Sequence, residues 1–136
     1  VLNYLGYSYL EKGTNLTEAV AMIEKAAKAL PDDGAIADSL GWALYRTGKY
    51  AEAEVQMEKA VGLMPIDAVV NDHLGDVYWM VGRKTEAAFQ WKRALSFKPS
   101  ADTDADRIRR KLEVGLDAVL KEEGAAQTAA GTNGKG

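Results

Sequence analysis

The residue types that could carry chemistry in this chain centre on one histidine. His73 is the single histidine of the sequence, with Asp72 beside it and Asp76 three residues further on. An imidazole near two carboxylates could bind a metal ion or act as a general base. No serine or cysteine is placed to serve as a nucleophile, and such a trio on a solvent-facing helix is more often an ordinary polar patch. The sequence therefore favours a protein that is not an enzyme and holds neither metal nor cofactor.

A second acidic group has the spacing of a calcium loop. Asp102, Asp104, Asp106 and Glu113 match its acidic positions, but Arg107 stands where that loop needs glycine for a sharp turn. Aspartates that begin a helix explain the group better than calcium binding does.

Composition narrows the class of partner. The 136 residues are 47% hydrophobic and 27% charged, with a net charge of −3 and no cysteine. That balance offers no general attraction to nucleic acid, and no apolar stretch approaches the roughly 18 residues that span a bilayer. The absence of cysteine excludes disulfides but fits a reducing or an oxidising compartment.

The elements that must position these residues are repeated. Three glycines stand in similar surroundings, Leu5-Gly6-Tyr7, Leu40-Gly41-Trp42 and Leu74-Gly75-Asp76, and the last two are 75 − 41 = 34 residues apart. A fixed period of this size predicts stacked supersecondary units, each too small to bury its own apolar face. The chain begins at Val1, inside the first unit, and we expect it to be part of a longer array.

Each unit predicts two helices, A and B. In the second unit, apolar and small residues recur at helical spacing in two stripes, separated by a break at Gly48: Ala37, Leu40, Gly41 and Leu44, then Ala53, Met57, Ala60 and Leu63. Asp33 and Asp67 are placed to cap the next helix A. The mid-helix glycines predict a close helix crossing, with Ala53 and Ala87 as the matching contacts.

These positions resemble the tetratricopeptide repeat family, whose 34-residue pattern places Leu-Gly and then an aromatic residue in helix A, and alanines and a proline in helix B. The resemblance implies an all-α solenoid, a right-handed superhelix of antiparallel helix pairs, with units at about 1–31, 32–65 and 66–99. One departure is Leu44, which stands where the family has a helix A tyrosine. Strings such as Asp38–Arg46 are also similar to the C-terminal repeats of large bacterial proteins of this kind. Some of those are envelope lipoproteins that act as adaptors for periplasmic proteases. This resemblance points to the bacterial periplasm or envelope, whereas the composition leaves the compartment open.

The C-terminal part of the chain is expected to close the array. Residues 100–123 resemble a closing helix, in which Arg109 replaces the glycine of the repeats because no further helix B covers it. The segment 124–136 has too little apolar content to fold and is expected to be disordered.

The helix register predicts a binding surface. Residues about 100° round from the Leu-Gly stripe would line the inner, concave wall, and the family resemblance implies that this wall binds peptides. The candidates are Tyr7, Asp38, Trp42, Tyr45, Arg46, Asp72, Asp76 and Trp79.

Asp38, Asp72 and Asp106 share one register position, and we expect them to form an acidic row. With the aromatic residues, such a row would suit a partner with apolar and basic residues. Alternatively, the aspartates are helix-start charges and the tryptophans pack between repeats. Family members that clamp a terminal carboxylate use lysines and asparagines at these positions, so that ligand class is not expected here.

The predicted function is a noncatalytic scaffold or adaptor that binds a protein or peptide. The alternative is an accessory region of a larger enzyme complex, with catalysis outside this chain. Self-association is a further possibility, because Leu2, Leu5 and Tyr9 would leave an apolar N-terminal face partly uncovered.

Overall fold

The computed structural model describes the backbone of residues 16–135 and the side chains of residues 16–126. Seven α-helices and no strand make up this part of the chain, which confirms the all-α prediction. They are α1 (Leu16–Ala29), α2 (Gly34–Arg46), α3 (Tyr50–Leu63), α4 (Ala68–Met80), α5 (Lys84–Ser96), α6 (Ala105–Val114) and α7 (Leu116–Lys135). None of these helices is both long and apolar enough to cross a membrane.

The helix ends follow the sequence signals. The carboxylate Oδ1 of Asp33 accepts a hydrogen bond from the backbone N–H of Ile36 at 3.0 Å, and that of Asp67 from Val70 at 2.9 Å. These bonds confirm the two predicted N-caps. Helices α2 and α4 end before Gly48 and Gly82, whose φ angles of 82° and 88° are in the left-handed region that favours glycine.

Consecutive helices pack against one another in a continuous stack. Helices α2 and α3 form one antiparallel pair and α4 and α5 the next, while α2 also approaches α4 directly. The main apolar core runs from Ile23 in α1 to Leu116 in α7. Ala37, Ala60 and Val70 form a second, smaller buried cluster. Stacking lets each helix pair bury apolar surface that it could not bury alone.

The helix A glycines lie at close crossings, as predicted, but against different residues. A Cβ atom on Gly41 would lie 2.8 Å from Cγ of Met57, and one on Gly75 would lie 2.4 Å from the indole of Trp91. The predicted contacts Ala53 and Ala87 are buried, yet the nearest side chains belong to residues one turn later on helix B. Large side chains of helix B therefore occupy the space that the glycines leave.

The closing region is two helices instead of the single one expected over 100–123. Gly115, with φ 87°, separates α6 from α7, and a Cβ atom there would lie 2.6 Å from the indole of Trp79. Ile108 and Leu116 are buried beneath the turn, whereas the Arg109 side chain is 60% exposed. A sharp turn brings the start of α7 back onto the third unit, which one straight helix could not do.

The backbone of the C-terminal segment also differs from expectation. Disorder was predicted for 124–136, but α7 continues as helix to Lys135. The alanines of this segment favour a helix and its glycines oppose one. A helix needs no burial of apolar side chains to satisfy its own backbone hydrogen bonds.

Candidate protein-interaction surface

The predicted binding residues lie on the side of the stack formed by α2, α4 and α6, which we call the inner wall. Side chains of these three helices bond to one another across the wall: Asp38 of α2 to His73 of α4, and Asp72 and Asp76 of α4 to Lys111 of α6. Tyr7 and the N-terminal residues Leu2, Leu5 and Tyr9 lie outside the described residues.

Three stacked rings form the main apolar feature of the inner wall. The ring centroid of Trp42 lies 4.5 Å from that of Tyr45 and 4.0 Å from that of His73, with interplanar angles of 13° and 17°. Trp42 and Tyr45 remain partly exposed. We call Tyr45, Trp42 and His73 the aromatic stack, and its parallel rings give the wall a rigid apolar surface.

His73 is held in this stack by a carboxylate. Its Nδ1 lies 2.8 Å from Oδ1 of Asp38, and both side chains are only 12% exposed. Burial by itself lowers the pKa of His73, but the charge and hydrogen bond of Asp38, with Asp72 and Asp76 nearby, outweigh burial and raise the pKa above its ordinary value. His73 is therefore part of the wall's framework, not the solvent-facing patch that the sequence suggested.

The expected acidic row is interrupted by cations. Nζ of Lys111 lies 2.5 Å from a carboxylate oxygen of Asp72 and 2.5 Å from one of Asp76, and its side chain is fully buried. Asp106 is 98% exposed and pairs with Arg109 on its own helix at 2.9 Å. Because Asp38 and Asp72 have partners and Asp106 does not join them, the prediction of a continuous acidic row is wrong.

Asp76 is buried too deeply to touch a partner. Its side chain is 1% exposed, and Oδ1 accepts a hydrogen bond from Trp91 Nε1 at 3.0 Å as well as from Lys111. Burial raises the pKa of Asp76, while Lys111 and Arg107 oppose the shift. Its Oδ2 atom, 3.8 Å from Arg107, makes no hydrogen bond within the described residues. Asp76 is therefore a structural carboxylate that fixes Trp91, which corrects its placement among the groove residues.

Trp79 and Arg46 complete the predicted set. The ring of Trp79 lies 5.7 Å from that of Trp91 and beneath Gly115, with Nζ of Lys84 4.7 Å from its centroid. Trp79 thus packs against α5 and the turn at Gly115, which favours the alternative interpretation that it packs between neighbouring elements of the stack. Arg46 is exposed at the end of α2.

The sequence contained a signal for the pairing that was missed. His73 follows Asp38 by 73 − 38 = 35 residues, and Lys111 follows Asp76 by 111 − 76 = 35 residues. A separation of 35 residues, one more than the repeat period, places the two members of each pair on consecutive A helices. No three histidine, aspartate or glutamate side chains in the described part of the chain come together as metal ligands.

Known proteins share this architecture. Residues 34–63 match the family model described as tetratricopeptide repeat. A TPR repeat-containing protein of Pseudomonas aeruginosa is 51% identical over 51 residues, which are 38% of this chain and 9% of that protein. The chain therefore spans less than a tenth of the length of this curated relative.

Two solved structures show the same fold. The first TPR of Spaghetti (RPAP3), bound to the HSP90 peptide SRMEEVD, has a TM-score of 0.73 at 22% identity, covering 88% of this chain and 91% of that one. PcrH in complex with the chaperone binding region of PopD has a TM-score of 0.73 at 18% identity, covering 90% of each chain. The fold and wall define an α-solenoid of helix pairs. Residues 34–63 match a tetratricopeptide repeat, and the described part of the chain has the fold of a solved tetratricopeptide repeat protein.

Proposed function

We propose that this chain is a noncatalytic interaction module that holds a peptide or a segment of a partner protein on the inner wall. The observation that carries the proposal is the aromatic stack, whose Trp42 and Tyr45 are partly exposed and held in parallel by His73 and Asp38. Rigid, partly exposed aromatic rings are the residues that most often anchor protein interfaces. The peptide-bound and partner-bound proteins of similar fold support the same function.

The pairing of the carboxylates defines the chemistry of the partner. Asp38 and Asp72 already bond to His73 and Lys111, so a basic residue of the partner would gain little from them. An apolar or aromatic side chain seated against Trp42 and Tyr45 would gain more, because it buries area that is exposed in the free protein. The proposed ligand is therefore a segment with an apolar anchor, and basic residues are secondary.

The experiment is capture of partners from the native source with the whole protein, followed by titration of the identified partner. Trp42→Ala should weaken binding by about 1–3 kcal/mol if Trp42 is an anchor. Phe89→Ala is the matched control, since Phe89 is an exposed aromatic residue of α5 outside the inner wall. Both variants are first checked for an unchanged fold by circular dichroism.

A folded Trp42→Ala variant that binds the partner as well as the wild type would overturn the proposal. Equal losses in Trp42→Ala and Phe89→Ala would also count against it, because the effect would then not belong to the inner wall.

A further inference from the structure

A groove opens on the other side of the stack, between the helix B elements α1 and α3. Its floor is Leu40 and Leu44 of α2, it is walled by Glu24 and Lys28 of α1 and by Val55 and Lys59 of α3, and it encloses about 610 Å³. We call this the open groove. It faces away from the aromatic stack, because Trp42 lies about 200° round α2 from both Leu40 and Leu44.

The same groove one repeat later, between α3 and α5, is filled by a side chain of the floor helix. Tyr78 stands at the position of Leu44, since 78 − 44 = 34, and its hydroxyl donates a hydrogen bond to Oε2 of Glu58 at 2.7 Å. Burial, together with that hydrogen bond, raises the pKa of Tyr78 to about 12. The tyrosine side chain therefore stays neutral and remains a donor to Glu58 at physiological pH.

An arginine completes the filled groove. The guanidinium carbon of Arg83 lies 4.3 Å from the centroid of the Tyr78 ring, and Nη1 lies 2.9 Å from Glu54 and 3.6 Å from Glu58. Its Nε donates to Glu86 at 3.1 Å. Tyrosine and arginine together thus satisfy carboxylates on both walls of this groove.

The open groove keeps two matching carboxylates but lacks the tyrosine. Lys49 stands at the position of Arg83, since 83 − 34 = 49, but it is exposed and bonds to neither Glu24 nor Glu52. Glu24 stands 58 − 24 = 34 residues before Glu58, and Glu52 stands 86 − 52 = 34 residues before Glu86. In place of the tyrosine there is Leu44, whose side chain has no hydrogen-bond donor. Among the described residues, no side chain donates a hydrogen bond to Glu24 or Glu52.

We propose that the open groove is a docking site for a protein segment that presents a tyrosine with a lysine or arginine close to it. The tyrosine ring would lie on Leu40 and Leu44, its hydroxyl would donate to Glu24, and the cation would lie between Glu24 and Glu52. The partner would thus supply in trans what Tyr78 and Arg83 supply in cis one repeat later. The volume of the groove is within the range of about 300–1,000 Å³ that is typical of ligand clefts.

The test uses the whole protein and blocked dipeptide amides, Tyr-Arg, Phe-Arg and Leu-Arg, with methyl NMR signals as the readout. Tyr-Arg should cause saturable shifts of the Leu40, Leu44 and Val55 methyl groups. Phe-Arg, which lacks the hydroxyl, should bind on the order of tenfold more weakly, since hydrogen bonds to charged groups are among the stronger ones. Leu-Arg should cause no saturable shift.

Two reciprocal substitutions test whether the filled groove shows how a ligand occupies the open groove. Leu44→Tyr should fill the open groove from within the chain and abolish the Tyr-Arg shifts. Tyr78→Leu should empty the filled groove and produce new shifts at Leu74, the residue equivalent to Leu40 in that unit. Glu24→Gln, an exposed change that leaves the core untouched, should remove the preference for Tyr-Arg over Phe-Arg. It keeps the test decisive if Leu44→Tyr fails to fold.

Unmoved methyl signals in the wild type would overturn the proposal, as would undiminished binding to a folded Leu44→Tyr variant or an unchanged tyrosine preference in Glu24→Gln. Trp42→Ala should leave the dipeptide shifts intact. Failure at the open groove and failure at the inner wall are therefore distinguishable.

Discussion

The indole of Trp42 lies flat on the imidazole of His73, with ring centroids 4.0 Å apart and planes inclined by 17°. The imidazole is held in turn by Asp38, at 2.8 Å from its Nδ1. A protonated imidazole interacts more favourably than a neutral one with both the carboxylate and the face of the indole. The packing of the exposed ring is therefore linked to the charge on His73.

The first prediction is a pH dependence of stability that belongs to His73. Its folded-state pKa is raised above the ordinary value of 6.5, because Asp38, Asp72 and Asp76 outweigh the effect of burial. The stabilisation is therefore fully present below pH 6.5 and is lost as the pH rises through the folded-state pKa. Urea unfolding across this range should show the wild type losing stability relative to His73→Gln.

Asp38→Asn is the control for this assignment. It removes the main partner of His73 and should flatten the same part of the pH profile. A constant difference between wild type and His73→Gln at all pH values would show that the pKa of the histidine is the same in the folded and unfolded states.

The second prediction compares alanine at two equivalent glycines. At Gly75 the new Cβ would meet the indole of Trp91, which is buried and hydrogen-bonded to Asp76, whereas at Gly41 it would meet the flexible side chain of Met57. Alanine gains about 1 kcal/mol of helix propensity over glycine, but overpacking costs about 1–3 kcal/mol. Gly75→Ala should therefore be clearly destabilising and Gly41→Ala less so.

The stability of both variants is measured from their denaturant midpoints, provided that the slope of the free energy of unfolding against denaturant concentration is unchanged. Equal midpoints for Gly75→Ala and Gly41→Ala would mean that the indole of Trp91 moves as readily as the thioether of Met57.

The sequence predicted what depends on local signals and on the repeat period. The N-caps Asp33 and Asp67 needed only the next three residues, and the helix pairs needed only apolar spacing. The acidic row failed because the neutralising groups, His73 and Lys111, lie on the following helix A, and a repeat compared with itself does not reveal a contact between repeats. Gly115 was missed because a turn within the closing segment depends on contact with Trp79.

The open groove shows the same division. The replacement of tyrosine by Leu44 is visible in the sequence as a departure from the repeat pattern. That this replacement leaves a groove is visible only in the structure, by comparison with Tyr78. The size and chemistry of the open groove depend on α1 and α3, which a tyrosine at position 44 would contact.

The third prediction concerns the buried lysine of α6. Lys111 bonds to Asp72 and Asp76 at 2.5 Å each, and Asp76 is itself buried. Lys111→Met would keep much of the volume but leave a buried carboxylate without its cation, which costs about 3–5 kcal/mol in comparable buried pairs. The free energy of unfolding should fall accordingly.

Lys121→Met is the matched control, since Lys121 is an exposed lysine of α7. It should change the free energy of unfolding by no more than about 0.5 kcal/mol. If Lys111→Met proved equally mild, the buried lysine would not be needed to balance Asp72 and Asp76.

The last prediction tests the closing helices by truncation. Ending the chain after Pro99 removes Ile108 and Leu116 from the core, uncovers Trp79 and leaves Asp72 and Asp76 without Lys111. A terminal repeat without its cap exposes an apolar face, so this shorter chain should melt at a lower temperature and associate in light scattering. Ending the chain after Gly124 keeps Glu122 and Glu123, which pair with Arg110 and Arg107, and should leave both measurements unchanged. Identical melting and scattering of the two truncated chains would show that α6 and α7 do not close the stack.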